Sequence, residues 1–157
     1  MAVNVEGLKD NARKTAIECL QARLCDALSL SMALKQAHWN MKGRNFIAVH
    51  EFLDEVKARV DGHVDTMAER IQVLDGTAVG TVEKVADATT IEPYPTDLTK
   101  VEDHLNALCE RLRDYGSKVR KDIDTTDEAG DAATADLLTA ASREADKDLW
   151  FLESHLE

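Results

Sequence analysis

Apolar positions recur at three- and four-residue steps through most of this chain, as expected of helices that bury one face. Leu8, Ala12, Ala16, Leu20, Leu24, Leu28 and Met32 define such a face over about 5–38. The run 40–45, Asn-Met-Lys-Gly-Arg-Asn, breaks it, because Gly43 and two asparagines supply turn chemistry. A second long helix is predicted over about 46–75, through Val49, Leu53, Val56, Val60, Val64, Met67 and Ile71. Gly62 lies inside it and costs about 1 kcal/mol relative to alanine, a tolerable loss in so long a helix. Residues 76–96 are richer in Gly, Thr and Pro and predict an extended connection holding a short helix around 81–86. Thr99 and Glu102 have capping-box spacing at the start of a third long helix. Val101, Leu105, Leu108, Leu112, Tyr115 and Val119 carry it to about residue 122. An acidic turn over 124–130 then leads into a fourth helix over roughly 131–155, buried at Leu137, Leu138, Ala141, Ala145, Leu149 and Leu152.

Four long helices with one long crossover, between the second and third, predict an all-α fold. It is a ferritin-like four-helix bundle with a short extra helix in the crossover. The whole chain, 1–157, reads as one domain, large enough to bury a proper core. Aromatics make up only 4% of it, so Leu, Ala, Val and Met must fill that core. No stretch is apolar for long enough to span a bilayer, and the first residues lack the apolar centre of a signal peptide. A cytoplasmic protein is expected. Cys19, Cys25 and Cys109 have no CxxC spacing and read as reduced core residues.

The formal net charge of −11 argues against general nucleic-acid binding and favours a surface that attracts cations. Basic residues do gather near the start, at Lys9, Arg13 and Lys14. Three phosphate contacts would give a salt slope of only about −3.

Candidate chemistry concentrates on the second helix. His50 with Asp54, and Asp65 with Glu69, are i,i+4 pairs, and at about 100° per residue the four share one face within an arc of roughly 100°. At about 1.5 Å per residue the two pairs stand some 22 Å apart, so one chain cannot bring them to one ion. Two copies of the helix laid antiparallel can, each upper pair facing the partner's lower pair. The spacing therefore predicts a metal site divided across a two-fold interface. Bundles that hold metal within one chain use Glu-x-x-His. The residues three before the five histidines are Lys35, Ile47, Val60, Val101 and Leu152, so that site is absent. His50-Glu51-Phe52-Leu53-Asp54 fails as a zinc protease motif because Asp54 replaces the second histidine. Asp122-x-Asp124 lacks the glycine and terminal Glu of a calcium loop. His63 lies about 200° from Asp65, off the stripe, and reads as structural or exposed. His104 and His155 have no evident partner, and Trp150 reads as core or subunit packing. Taken singly, the duller readings hold: His50 with Asp54 is an ordinary surface pair, and Asp65 with Glu69 a mildly repulsive one.

Three blocks, KQAHWNMKGRNFIAVHEFLDE (35–55), DTMAERI (65–71) and TADLLTAASREADKDLWFLE (134–153), closely resemble the Dps family, the ferritin-like mini-cages named as DNA-binding proteins from starved cells. The likeness covers nearly the whole chain. It implies that His38, His50 and Asp54 of one subunit, with Asp65 and Glu69 of its two-fold partner, bind Fe(II) at an inter-subunit ferroxidase site. A mixed imidazole and carboxylate set without thiolate suits Fe(II) and Fe(III). It further implies oxidation preferentially by hydrogen peroxide, and storage as a ferric mineral core inside a dodecamer built from two-fold dimers. Trp39 matches a tryptophan near the family's iron site, an expected trap for stray oxidising equivalents. Asp127, Asp131 and Asp136 match the region that lines a three-fold iron-entry pore, where Ala132 replaces a further acid. The competing reading for these acids is capping of a helix start.

DNA binding, which gave the family its name, is expected to be weak at physiological salt, since no Lys precedes Lys9 and no basic tail follows the fourth helix. The alternatives are a DNA-compacting, nucleoid-associated protein with secondary iron chemistry, and a bare helical assembly whose acids are only a solvated face.

Overall fold

The computed structural model describes residues 5–157, and the segment expected ahead of the first helix lies partly outside them. Its helices are α1 (Asp10–Asn40), α2 (Phe46–Val73), α3 (Val82–Ala88), α4 (Val101–Ala129) and α5 (Ala132–Glu153), with no strand among the described residues. The α1–α2 and α4–α5 hairpins have short connections, which make neighbours antiparallel. The two hairpins pack through α1 on α4 and α2 on α5, and α3 lies against α1. The buried stripes are largely those read from the periodicity. Ala16, Leu20, Leu24, Leu30 and Leu34 of α1 meet Val49, Leu53, Val56 and Met67 of α2 in one core, with Leu105, Leu108, Leu112 and Leu138 from the second hairpin.

Several expectations fail, each for a local reason. α1 begins at Asp10, and Met32, on its apolar list, is exposed. Leu137 and Leu149 are only half-buried. The acidic stretch 124–129 is not a turn but the last turns of α4. Thr125 and Thr126 donate their hydroxyls to the carbonyls of Lys121 and Asp122, and Thr126 is buried. The helix stops instead at Gly130, whose φ of 100° suits glycine. The capping box at Thr99 does not form. α4 is capped at Lys100 without a side-chain hydrogen bond, and the Thr99 carbonyl accepts from the Lys42 amide at 2.7 Å. Gly76 meets a different demand, since a Cβ there would lie 2.9 Å from Ile71 Cγ2.

The crossover is fastened to the bundle by buried polar groups. Asp26 of α1 accepts from Thr89 Oγ1, the Thr90 amide and Thr90 Oγ1 at 3.0, 2.6 and 2.9 Å, and pairs with Arg23 at 3.2 Å. Arg111 of α4 donates to the carbonyls of Glu92, Pro93 and Ala107. This satisfies a buried cation that has no carboxylate partner among the described residues.

Candidate metal centre

The α1–α2 turn brings His38 at the end of α1 beside His50 in the first turns of α2. Gly43 (φ 127°) and Asn45 (φ 58°) make that turn sharp enough. The rings stack with centroids 3.6 Å apart, and His38 is buried while His50 is half-buried. Their hydrogen bonds are reciprocal: His38 Nδ1 lies 2.8 Å from the His50 carbonyl, and His50 Nδ1 2.8 Å from the His38 carbonyl. A carbonyl can only accept, so each Nδ1 carries the proton. Each neutral ring therefore keeps its lone pair on Nε2, the tautomer a metal ligand requires. Phe46 packs against His50 with centroids 4.9 Å apart, further fixing the ring.

Asp54 joins this pair. Its Oδ1 is 3.4 Å from His38 Nδ1 and 2.5 Å from Lys35 Nζ. The hydrogen bond from the Lys35 ammonium holds the Asp54 carboxyl below the usual carboxylate range, with burial opposing it. Trp39, next in sequence, is largely exposed.

Asp65 and Glu69 lie further along α2, both exposed. The ion pairs of α2 engage Asp54, Glu55, Lys57, Arg59, Asp61 and Arg70 and leave these two acids without a cation among the described residues. Arg70, the cation nearest in sequence, turns inward to Asp131 at 2.9 Å and to Thr134 Oγ1 at 3.1 Å. Among the described residues no three His, Cys, Asp or Glu side chains of one chain converge closely enough to hold an ion. The structure thus sets His50 and Asp54 each beside His38 without closing the three on one point, and leaves Asp65 and Glu69 apart from them.

The acids expected at a pore divide. Asp127 and Asp136 are exposed, in the last turn of α4 and the first turns of α5. Asp131 departs from that expectation. Its side chain is buried, caps α5 by accepting from the Thr134 amide and hydroxyl, and pairs with Arg70, so it has no face left for solvent. Capping accounts for Asp131 alone, since Asp127 lies at a helix C-terminus where a carboxylate is disfavoured.

Other singled-out residues found roles the sequence did not reveal. His104 is buried and bonded on both ring nitrogens. His155 lies 6.2 Å from the Phe52 ring. Half-buried His63 faces Glu144 and Asp148, and burial pushes it below the ordinary imidazole range. Trp150 is not core: it is exposed, against Phe151. The Cys19 and Cys109 thiols are unactivated, each pushed up to about 11 by burial. Of the three basic residues near the start, Arg13 pairs with Asp10 and Lys14 with Glu18.

A ferritin-like domain model matches residues 17–157. The DNA protection during starvation protein of Agrobacterium fabrum is 50% identical over 150 residues, covering 96% of this chain and 93% of that one. This chain belongs to the Dps family. Solved Dps structures agree in shape. The Mycobacterium smegmatis Dps is 34% identical and superposes with a TM-score of 0.93, covering 98% of this chain and 93% of its own. DpsC from Streptomyces coelicolor is 31% identical with a TM-score of 0.92, over 97% and 89%. A Dps fold accounts for the five-helix order, the extra helix in the crossover included. No helix is long and apolar enough to cross a membrane among the described residues.

Proposed function

We propose that this Dps-family chain is a ferroxidase and iron-storage protein whose reaction centre is completed only when two copies pair. Fe(II) is the substrate. His38, His50 and Asp54 of one protomer offer two imidazole lone pairs and a carboxylate, and Asp65 and Glu69 of the two-fold partner offer the remaining oxygens. The carrying observation is the reciprocal Nδ1–H bonding of His38 and His50, which presets both Nε2 atoms for a metal in a half-site that one chain leaves incomplete. The open acids Asp65 and Glu69 supply the missing charge.

Hydrogen peroxide is the preferred oxidant in this reading. Two Fe(II) ions each give up one electron, the O–O bond breaks, and two protons are consumed in forming two waters. The ferric product is stored as a mineral in a dodecameric cage. Trp39, exposed beside the half-site, takes up oxidising equivalents that escape, and Asp127 and Asp136 draw cations toward the interior.

The test is complementation. A His38→Ala/His50→Ala variant and an Asp65→Ala/Glu69→Ala variant are each expected to lose peroxide-driven Fe(II) oxidation while remaining folded. Dissociated and reassembled together, they should regain part of it, since half of randomly paired contacts would hold one intact centre. Restoration no greater than the sum of the two parents would overturn the division between chains. Unchanged oxidation in either parent would overturn the site.

A further inference from the structure

His104 lies on the first turn of α4, and only 1% of it is exposed. Its Nε2 is 3.1 Å from the Leu98 carbonyl, and the Asn40 carbonyl at the end of α1 lies close enough to favour a proton on the ring. Carbonyls accept only, so Nε2 carries the proton and Nδ1 is free to accept from the Tyr94 hydroxyl at 2.8 Å. One imidazole thereby ties α4 to the crossover at Tyr94 and Leu98, beside the last residue of α1. Asn40 directly follows Trp39 and stands two residues beyond His38. The same junction carries a short backbone bridge, in which the Lys42 amide donates to Thr99 and the Val101 amide to Lys42.

We infer that His104 is a positioning residue, a clasp closed in its neutral form that holds the end of α1, and with it His38, against the crossover. A proton on Nδ1 reverses the bond to Tyr94, leaves the phenol proton without its acceptor, and places a cation in a buried pocket. Arg111 already stands 5.0 Å from the Tyr94 ring centroid, and Lys42 and Lys100 are bridged through their backbones at the same end. Asp103, one residue before His104 on α4, acts the other way. Burial is the largest influence and pushes His104 below the ordinary imidazole range, with the Leu98, Asn40 and Asp103 contributions opposing it. A group whose pKa is lowered on folding gives stability that is full above its unfolded value and lost as pH falls below it. An opening that restores an ordinary imidazole therefore becomes more favourable as pH falls from 7.5 to 5.5.

The importance of the clasp for iron rests on the function proposed above; the clasp itself does not, and its test uses no metal. In hydrogen exchange, the peptides holding the Lys42 and Val101 amides should lose protection from pH 7.5 to 5.5 after correction for intrinsic rates. His104→Gln can donate to Leu98 and accept from Tyr94 without a titratable group, so its protection should stay high at both pH values. His104→Phe should be open at both. All other groups are common to wild type and His104→Gln, so the difference isolates His104. Flat protection in the wild type, or an equal loss in His104→Gln, overturns the clasp and leaves the ferroxidase reading untouched. Failed complementation overturns that reading and leaves the clasp standing.

Discussion

The two halves of the proposed centre are furnished in opposite ways. The half made by His38, His50 and Asp54 is tied down before any ion arrives, with stacked rings, reciprocal carbonyl bonds and a lysine on the carboxylate. The half made by Asp65 and Glu69 is bare, and its neighbouring arginine is turned into the protein. The first contributes geometry and the second contributes charge. Rigid imidazoles set where an ion sits, while two unpartnered carboxylates one helical turn apart repel mildly until a cation relieves them.

Breaking either half should abolish turnover by roughly a thousandfold, two ligand losses at a step of 10–100 each, as read by initial rates of Fe(II) oxidation. The halves should differ in their side effects. Removing Arg70, which keeps the bare half bare, strands the buried Asp131. Arg70→Met is expected to cost about 3 kcal/mol in denaturant unfolding, whereas Asp131→Asn, which can still cap α5, should cost less. Lys35→Gln should raise the Asp54 carboxyl toward its ordinary range in a carbon-detected NMR titration. Because that carboxyl is held low, its contribution to stability is present above the ordinary carboxylate range and fades as pH falls through the lowered value. Lys35→Gln removes that contribution, a few tenths of a kcal/mol for so exposed a pair. The smallest effect is also the most discriminating. Asp65→Asn should leave the metal-free protein unchanged or more stable by about 0.2–0.5 kcal/mol, while weakening binding of Co(II) as an Fe(II) surrogate. Destabilisation of the metal-free protein would show that Asp65 has a structural partner after all.

The helix periods carried most of the fold, because long amphipathic stripes leave little choice of partner. The misreadings came where side chains outvoted composition. Acids and threonines over 124–129 suggest a turn, yet buried Thr126 and hydroxyl bonds to the preceding turn keep α4 going to Gly130. Thr99 looks like a cap, but its carbonyl is taken by Lys42, a pairing distant in sequence. At the candidate site, the i,i+4 pairs on α2 were legible from spacing alone. The imidazole tautomers were not, because they depend on carbonyls brought together only by the α1–α2 turn. Likewise nothing local in the sequence distinguishes exposed Asp127 from buried Asp131. Arg70, far away on α2, decides it.

The mutual lock between His38 and His50 has a consequence for unloading. Both Nδ1 positions are already spoken for by backbone oxygens, so an incoming proton and an incoming ferrous ion contend for the same Nε2 electrons. Acid can therefore evict the metal while the two rings stay anchored where they were, and neutralisation returns a receptacle that needs no rebuilding.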